Sequence, residues 1–206
     1  MISLFLNTSS NYLNVSLIKD NKEIDNLYKK LDKDLSREAL FELSKLLEKN
    51  GLVPNDVDEI VCVRGPGSFT GLRVGVTISK VFAHFLNKKL YSVSSLEVMA
   101  TTRRDDIIVP LIDARRGYVY GAIFDKDYNV LMEEQYIKYE DLIEKVKSYN
   151  ESTTLISNDD FSMETLRIDP NLEDLYKYNL KREENPMTFE PNYLKKTEAE
   201  EKLNDK

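Results

Sequence analysis

Alternating apolar and polar positions open the chain and predict three β-strands joined by tight turns. The first strand spans Ile2 to Leu6, and its hairpin partner, Tyr12 to Ile18, follows the turn Asn7-Thr8-Ser9-Ser10. A second turn at Asp20-Asn21 leads to a third strand from Glu23 to Tyr28. We therefore expect an antiparallel meander at the start of the fold.

The period of the apolar positions then changes from two to about 3.6, which indicates a helix. Ser36 is a typical N-cap for this helix, and Gly51 is a typical stop. The β-branched run Glu59 to Val63 predicts a buried strand, and Phe69 to Leu86 predicts a helix that is apolar over most of its circumference.

A short strand, Leu90 to Val93, precedes the segment Ser94-Ser95-Leu96-Glu97. Serine at the N-cap and glutamate three positions later form a capping box, which predicts the start of a short helix. The order of elements to this point is βββαβαβ followed by that helix, which is an α/β pattern.

The first hairpin pattern returns in the second half of the chain. Leu4 to Ile24 aligns with Pro110 to Val130 so that Asn7 meets Asp113 and Tyr12 meets Tyr118, and both copies read strand, turn, strand, turn. Chance similarity of two hairpins explains this alignment as well as duplication does, but a helix predicted at Tyr139 to Tyr149 favours duplication. We predict two related halves, residues 1–104 and residues 105–206, the second shortened and ending in a tail.

Composition limits the classes of function. The chain has 206 residues, a formal net charge of -7, and 41% hydrophobic and 32% charged residues. It therefore lacks the cationic surface that dominates affinity for nucleic acids. If the chain works on nucleic acid, we expect another protein to supply the binding affinity. The single cysteine, Cys62, lies in a predicted strand and is expected to be a buried residue in a reducing compartment.

We expect neither an export signal nor a membrane span. The N-terminal segment MISLFLN lacks a basic flank, and its apolar run is too short for a signal peptide. No stretch reaches the roughly 18 uncharged apolar residues of a membrane helix. A cytoplasmic location is the resulting expectation.

The loop RGPGSFTGLRVG, residues 64–75, resembles a phosphate-binding loop but lacks its chemistry. A P-loop needs lysine and then serine or threonine directly after its second glycine, whereas Leu72 and Arg73 follow Gly71 here. The glycine spacing also differs from the Gly-x-Gly-x-x-Gly of dinucleotide-binding folds. The candidate site residues of this motif are Arg64, Gly65, Pro66, Gly67, Ser68, Phe69, Thr70 and Arg73.

Small residues recur every four positions along the helix after this loop. Gly71, Gly75, Ser79 and Ala83 form a ridge without bulk on one face, and such a ridge lets a second helix approach closely. We expect a partner chain on this ridge, with the bulkier Val74, Val81 and Phe85 on the core side. Contact with the chain's own sheet is the alternative.

The chain offers few catalytic groups. His84 is its only histidine, and Cys62 has no basic neighbour in the sequence to lower its pKa. Asn7 and Asp113 are expected to face one cleft between the halves, but an amide is a weaker cation ligand than a carboxylate. The arginines Arg64, Arg73, Arg115 and Arg116 suit carboxylates of a partner or phosphates of RNA, or they are solvated surface charges.

The motifs RGPGSFTGLRVG (64–75), SVSSLEVMA (92–100), IDARRGYVY (112–120) and PNYL (191–194), in that order, resemble the bacterial TsaB (YeaZ) proteins. These are partner subunits of the machinery that makes threonylcarbamoyladenosine beside the anticodon of tRNA. Asn7 departs from the family's usual aspartate after the first strand, and Tyr118 departs from its usual glutamate.

The resemblance implies an ASKHA (actin-like, Hsp70-like) fold of two RNase H-like halves and a noncatalytic scaffold without a cofactor. It implies pairing with TsaD, which carries out the transfer, through the helices of the first half, with TsaE joining the pair and tRNA engaged indirectly. The residues expected at this interface are Leu40, Leu43, Leu47, Gly71, Gly75, Ile78, Ser79, Phe82 and Ala83.

Other readings of the sequence stay open. The cleft between the halves is expected to include Asn7, Thr8, Asp113 and Arg115, and a nucleotide-binding hydrolase or a glycoprotease-like enzyme of the same fold is the alternative function. A homodimer that uses the small-residue ridge in the absence of TsaD is a third possibility. The segment Glu190 to Leu194 is expected to dock onto the body of the protein.

Overall fold

The computed structural model describes residues 1–30 and 35–195, which form two β-sheets with helices packed on them. The strands in chain order are β1 (Ile2–Asn7), β2 (Tyr12–Lys19), β3 (Lys22–Lys30), β4 (Glu59–Val63), β5 (Lys89–Val93), β6 (Ile107–Asp113), β7 (Tyr118–Asp125), β8 (Val130–Lys138), β9 (Thr153–Ile156) and β10 (Arg182–Glu184). The helices are α1 (Leu35–Lys49), α2 (Phe69–Phe85), α3 (Ser95–Ala100), α4 (Tyr139–Lys147) and α5 (Glu173–Lys177). The predicted order βββαβαβ followed by a short helix is confirmed.

The first sheet has the strand order β10-β5-β4-β1-β2-β3. Strands β1, β2 and β3 form an antiparallel meander, whereas β4 lies parallel to both β1 and β5. Parallel neighbours need a crossover connection, and α1 and α2 provide the two crossovers. Both helices pack on the same face of the sheet, where Leu4, Leu6 and Cys62 are fully buried.

The second sheet repeats this arrangement in a shorter form. Its strand order is β8-β7-β6-β9, with β6, β7 and β8 antiparallel and β9 parallel to β6. Helix α4 covers one face and buries Leu142, Ile143 and Val146 against it. The two halves therefore share a sheet topology as well as a sequence pattern.

Further apolar clusters fill the space on the other faces of the two sheets. Because successive side chains on a strand point to opposite faces, Phe5 and Val61 lie opposite the α1–α2 core and pack with Leu175 of α5. Leu96 and Met99 of α3 pack with Phe124 of the second sheet. The capping box predicted at the start of α3 is present, with Glu97 accepting the Ser94 backbone N–H at 2.9 Å.

The chain returns to the first sheet near its C-terminus. Strand β10 pairs antiparallel with β5, and Phe189 is buried in the α1–α2 core. Lys181 forms a buried ion pair with Glu59, between the rings of Tyr91 and Tyr176. The predicted division between residues 104 and 105 stays a prediction, but β10, which that division assigned to the second half, is a strand of the first sheet.

None of the helices within residues 1–30 and 35–195 combines the length and the apolar character that a membrane crossing requires.

Candidate functional site

The glycine-rich loop is held by the turn that follows β1. The Ser68 backbone N–H donates to the Ser9 carbonyl oxygen at 2.7 Å, and a Cβ atom added to Gly67 would overlap that same oxygen. Ser68 also caps α2, because its hydroxyl accepts the Gly71 backbone N–H at 3.3 Å. The loop therefore places two backbone segments of the same chain in direct contact.

The small-residue ridge of α2 faces the interior of the protein. A Cβ atom on Gly71 would overlap the Thr8 carbonyl oxygen, and one on Gly75 would overlap the Thr8 hydroxyl, both at less than 3.0 Å. Thr8 also donates its hydroxyl to the Gly71 carbonyl oxygen at 2.7 Å. Ser79 and Ala83 are buried as well. The expectation that a partner chain lies on this ridge is therefore wrong, because the chain's own β1–β2 turn and sheet cover it.

The other residues expected at the interface fall into a buried group and a group that is at least partly exposed. Leu43, Leu47 and Ile78 are buried in the α1–α2 core, so a second chain has no access to them, and the prediction is wrong for these residues. Phe82 packs partly against that core, whereas Leu40 is 54% exposed.

Bulky apolar side chains instead occupy the solvent side of α1 and α2. Phe85 is 77% exposed and Val81 is 50% exposed, which corrects the expectation that they face the core. Leu40 and Phe41, at 54% and 55%, are exposed on the neighbouring α1. We refer to Leu40, Phe41, Val81 and Phe85 as the apolar patch. Exposed side chains of this size on adjacent helices are typical of a protein interaction site.

The C-terminal segment docks onto the glycine-rich loop, as expected for Glu190 to Leu194. The Asn192 backbone N–H donates to the Arg64 carbonyl oxygen at 2.7 Å, and a Cβ atom on Gly65 (φ 123°) would lie within 2.5 Å of the Asn192 carbonyl oxygen. The Tyr193 ring stacks on Phe69 with a centroid distance of 4.9 Å, and Arg73 donates its Nε–H to the Tyr193 hydroxyl.

The remaining loop residues have structural contacts. Arg64 forms an ion pair with Glu184 at 3.2 Å, and Glu184 also accepts the Ser92 hydroxyl. Pro66 is buried and Thr70 is exposed. The contacts of the loop thus anchor α2, the C-terminal segment and the β1–β2 turn to one another.

A cleft of about 930 Å³ lies between the two halves, and Asn7, Asp113 and Arg115 all line it. The Asn7 side-chain oxygen accepts the Ser9 backbone N–H at 2.9 Å and the Ser9 hydroxyl at 2.7 Å. Thr8, the fourth residue expected there, is fully buried under α2 and does not line the cleft.

The carboxylates of the cleft already accept backbone donors. Asp113 accepts the Arg115 backbone N–H at 2.8 Å, and Asp159 accepts the Asp113 backbone N–H at 2.8 Å. Within the described ranges, 1–30 and 35–195, no set of three or more His, Cys, Asp and Glu side chains is arranged to hold a metal ion.

The single cysteine and the single histidine are not in the cleft. Burial raises the pKa of the Cys62 thiol to about 12, so the thiol stays protonated at neutral pH. His84 is exposed near the end of α2, with its ring edge-on to Phe85.

A second cavity, of about 320 Å³, lies between β8 and α3. Arg182 donates to both carboxylate oxygens of Glu97 at 2.8 and 2.6 Å. Burial in the same cavity raises the pKa of Glu134 to about 7, against the opposing effect of the Ser94 hydrogen bond. The Glu134 carboxyl therefore titrates close to neutral pH.

The sequence matches known proteins over most of its length. Residues 29–171 match the family profile described as "TsaD: tRNA N6-adenosine threonylcarbamoyltransferase". The "tRNA threonylcarbamoyladenosine biosynthesis protein TsaB" of Bacillus subtilis is 32% identical over 164 residues, which is 77% of this chain and 72% of the relative. TsaB of Escherichia coli is 28% identical over 61% of this chain and 56% of the relative.

Solved structures show the same fold. "YeaZ from Pseudomonas aeruginosa" superposes with a TM-score of 0.71 at 19% identity, covering 94% of this chain and 99% of the other. A protein described as having similarity to the peptidase YeaZ superposes with a TM-score of 0.78 at 20% identity, with the same coverage. The predicted α/β fold, with two halves of similar sheet topology, is confirmed, and it is the fold of these solved structures.

Proposed function

The chain belongs to the TsaB (YeaZ) family of tRNA threonylcarbamoyladenosine biosynthesis proteins, and on that premise we propose that it is a noncatalytic scaffold subunit. It binds and activates TsaD for the transfer of the threonylcarbamoyl group to the adenosine beside the anticodon of tRNA. TsaE joins through the TsaB–TsaD pair, and the complex acts in the cytoplasm.

The apolar patch carries this proposal. Val81 and Phe85 lie one helical turn apart, so they project from the same face of α2, and Leu40 and Phe41 are exposed on α1, which contacts α2. A phenylalanine that moves from water into an interface buries on the order of 150 Å² or more. Two helices that expose such residues suit the helices of a partner subunit.

The patch is compatible with a stable subunit because the core of the first half is complete without it. Leu43, Leu46 and Leu47 fill the space between α1 and the sheet, and Leu72 and Val76 do so from α2. Binding therefore requires no unfolding of the chain. A second copy of this chain suits the same patch in the absence of TsaD, and light scattering with and without TsaD measures that competition.

The noncatalytic role is supported by the way in which the candidate catalytic groups are engaged. The Asn7 amide organises its own turn, and the Thr8 hydroxyl is bound to Gly71. The thiol of Cys62 is fully buried and has a raised pKa. The structural contacts of Asn7 and Thr8 and the burial of Cys62 support the proposal.

A nucleotide-binding hydrolase is the second candidate, and the size of the cleft favours it. A volume of about 930 Å³ accommodates a nucleotide, and Asp113 and Arg115 line it. Calorimetric titration of the chain with ATP and Mg²⁺ separates the two functions. A scaffold releases little heat, whereas saturable binding of ATP together with phosphate release would favour the hydrolase.

The proposed function is tested by mass spectrometry of tRNA nucleosides after depletion of this protein. We expect threonylcarbamoyladenosine to disappear and to return with the wild-type chain. The double variant Phe41→Ser/Phe85→Ser should fail to restore it, whereas the control Glu144→Ala, at an exposed position of α4 in the second half, should restore it. Normal levels of the modified nucleoside after depletion would contradict the proposal.

A further inference from the structure

A cluster of tyrosines covers the face of the second sheet that is opposite α4. Tyr118 pairs with Lys138 and Tyr120 pairs with Tyr136 across β7 and β8, so all four side chains share one face. The rings of Tyr118 and Tyr136 are stacked, with centroids 4.6 Å apart and planes 9° apart. Val119, between the two tyrosines of β7, is buried on the α4 side.

The first sheet carries the same arrangement. Tyr12 pairs with Lys30 and Asn14 pairs with Tyr28 across β2 and β3. The rings of Tyr12 and Tyr28 are stacked, with centroids 4.9 Å apart and planes 8° apart, and Tyr28 is 55% exposed. Each half thus presents a stacked tyrosine pair beside a lysine, and we call these two groups the tyrosine platforms.

The two platforms meet at the cleft between the halves. Tyr12, Tyr28 and Lys30 line it from the first half. Tyr120 lines it from the second half, beside Tyr136. Lys195 also lines the cleft, and its ammonium group lies 5.1 Å from the centroid of the Tyr136 ring. Aromatic rings and cations from both halves therefore line the cleft.

Two consecutive arginines stand at the edge of this surface. Arg115 and Arg116, with φ angles of 67° and 56°, form the turn between β6 and β7. Their guanidinium groups have no hydrogen-bond, ion-pair or ring partner within residues 1–30 and 35–195. Each of the other arginines in these ranges has at least one such partner. Two exposed guanidinium groups without partners are a charge that a ligand can neutralise.

From this juxtaposition we propose that the tyrosine platforms and the Arg115–Arg116 turn bind a single-stranded segment of RNA. Bases stack on the tyrosine rings that line the cleft, of which Tyr28 is exposed and Tyr12 and Tyr120 are half-buried, and the guanidinium and ammonium groups bind the phosphates. The proposal rests on the proposed function, and it assigns to this subunit a direct contact with the tRNA in addition to the indirect one.

RNA fits the site better than an acidic peptide does. An acidic peptide would use the cations but would leave two flat, stacked aromatic pairs without a matching planar group. A single strand supplies planar bases and phosphates in alternation, which matches rings and cations placed side by side. Asp113 and Asp159, which also line the cleft, each direct a carboxylate oxygen at a backbone N–H group.

The test measures the fluorescence anisotropy of labelled single-stranded RNA with the full chain and with its complex with TsaD, over a series of salt concentrations. We expect Arg115→Ala/Arg116→Ala to weaken binding and to lower the salt slope by about 1.4, from roughly 0.7 for each phosphate contact on a single strand. The matched control is Arg103→Ala/Arg104→Ala, which removes two adjacent arginines that pair with Asp105 and Asp127. The control should leave both quantities unchanged.

A second pair of variants tests stacking. Tyr28→Leu should weaken binding about fivefold or more, the lower end of the effect of one stacked base. Tyr28→Phe keeps the ring and should bind RNA as the wild type does. Equal loss in both variants, or equal binding of single-stranded and double-stranded RNA by the wild type, would overturn the assignment of the platforms.

The outcomes distinguish this proposal from the proposed function. If depletion abolishes threonylcarbamoyladenosine but the arginine variant binds RNA like the wild type, the scaffold role stands and the RNA site is refuted. If the arginine variant keeps its RNA affinity but loses TsaD, the turn meets carboxylates of a protein, which also overturns the RNA site.

Discussion

The two sides of α2 differ in what they contact. One side carries Gly71 and Gly75, and the β1–β2 turn of the same chain lies directly on it. The other side carries Val81 and Phe85, which are largely exposed. Small residues at helical spacing therefore mark a place where a backbone comes close, and here that backbone belongs to the chain itself. The bulky side is the one left for a partner.

Substitution of Gly71 by leucine should have the largest effect on the isolated chain. The first atom of the new side chain would overlap the Thr8 carbonyl oxygen, and a backbone atom cannot turn aside as a side chain does. We expect the free energy of unfolding to fall by about 4 kcal/mol or more, or the chain to fail to fold. Urea unfolding followed by circular dichroism measures this loss.

The matched control is Thr77→Leu, on the exposed side of the same helix. Its free energy of unfolding should stay within about 0.5 kcal/mol of the wild type. A Gly71→Leu chain that is as stable as this control would show that the ridge has room for a second helix, and the comparison of the two sides would then be wrong.

Removal of the Tyr193 ring should have a smaller effect at the N-terminal end of α2. Tyr193→Ala removes the stacking on Phe69 and the hydrogen bond from Arg73, and each of these contributes about 1 kcal/mol or less. We expect the free energy of unfolding to fall by about 1 kcal/mol. Tyr193→Phe keeps the ring and should lose less, and equal losses would assign the effect to the hydrogen bond.

The smallest expected effect is the reactivity of the Cys62 thiol, which lies beneath the glycine-bearing side of α2. Burial raises its pKa to about 12, and a Cβ atom on Gly75 would lie 3.8 Å from its sulfur. The thiolate is the reactive form, so the folded wild type should not react with a thiol reagent at pH 8 until it is denatured. Rapid reaction of the folded chain would show that the covered side opens to solvent.

Much of the fold was predictable because local patterns determine it. The alternation that predicted β1 and β2 reflects a sheet with different environments on its two faces, and Glu59–Val63 is found as predicted. The capping box at Ser94 and Glu97 also defines a helix start from neighbouring residues alone. Strand β10 was not predicted, because three residues that pair with β5 from a distant part of the chain leave no local period.

The orientation of α2 was not predictable in the same way. Periodicity shows that Gly71, Gly75, Ser79 and Ala83 share a side, but it does not show which side meets the sheet. The large side chains of Val81 and Phe85 led us to predict that they are core residues. The side that faces the interior instead carries glycines, because the Thr8 backbone lies directly against it. The tyrosine platforms were also missed, because stacking across strands depends on the register, and the alignment of Tyr12 with Tyr118 was their only signal.

The central claim is that the exposed side of α1 and α2 binds TsaD. Calorimetric titration of TsaD from the same organism with the Phe41→Ser/Phe85→Ser variant tests it most directly, with thermal unfolding to verify that the variant is folded. Loss of two aromatic side chains that are buried in the interface should weaken the affinity for TsaD about thirtyfold or more. Wild-type affinity in a folded variant would contradict the claim.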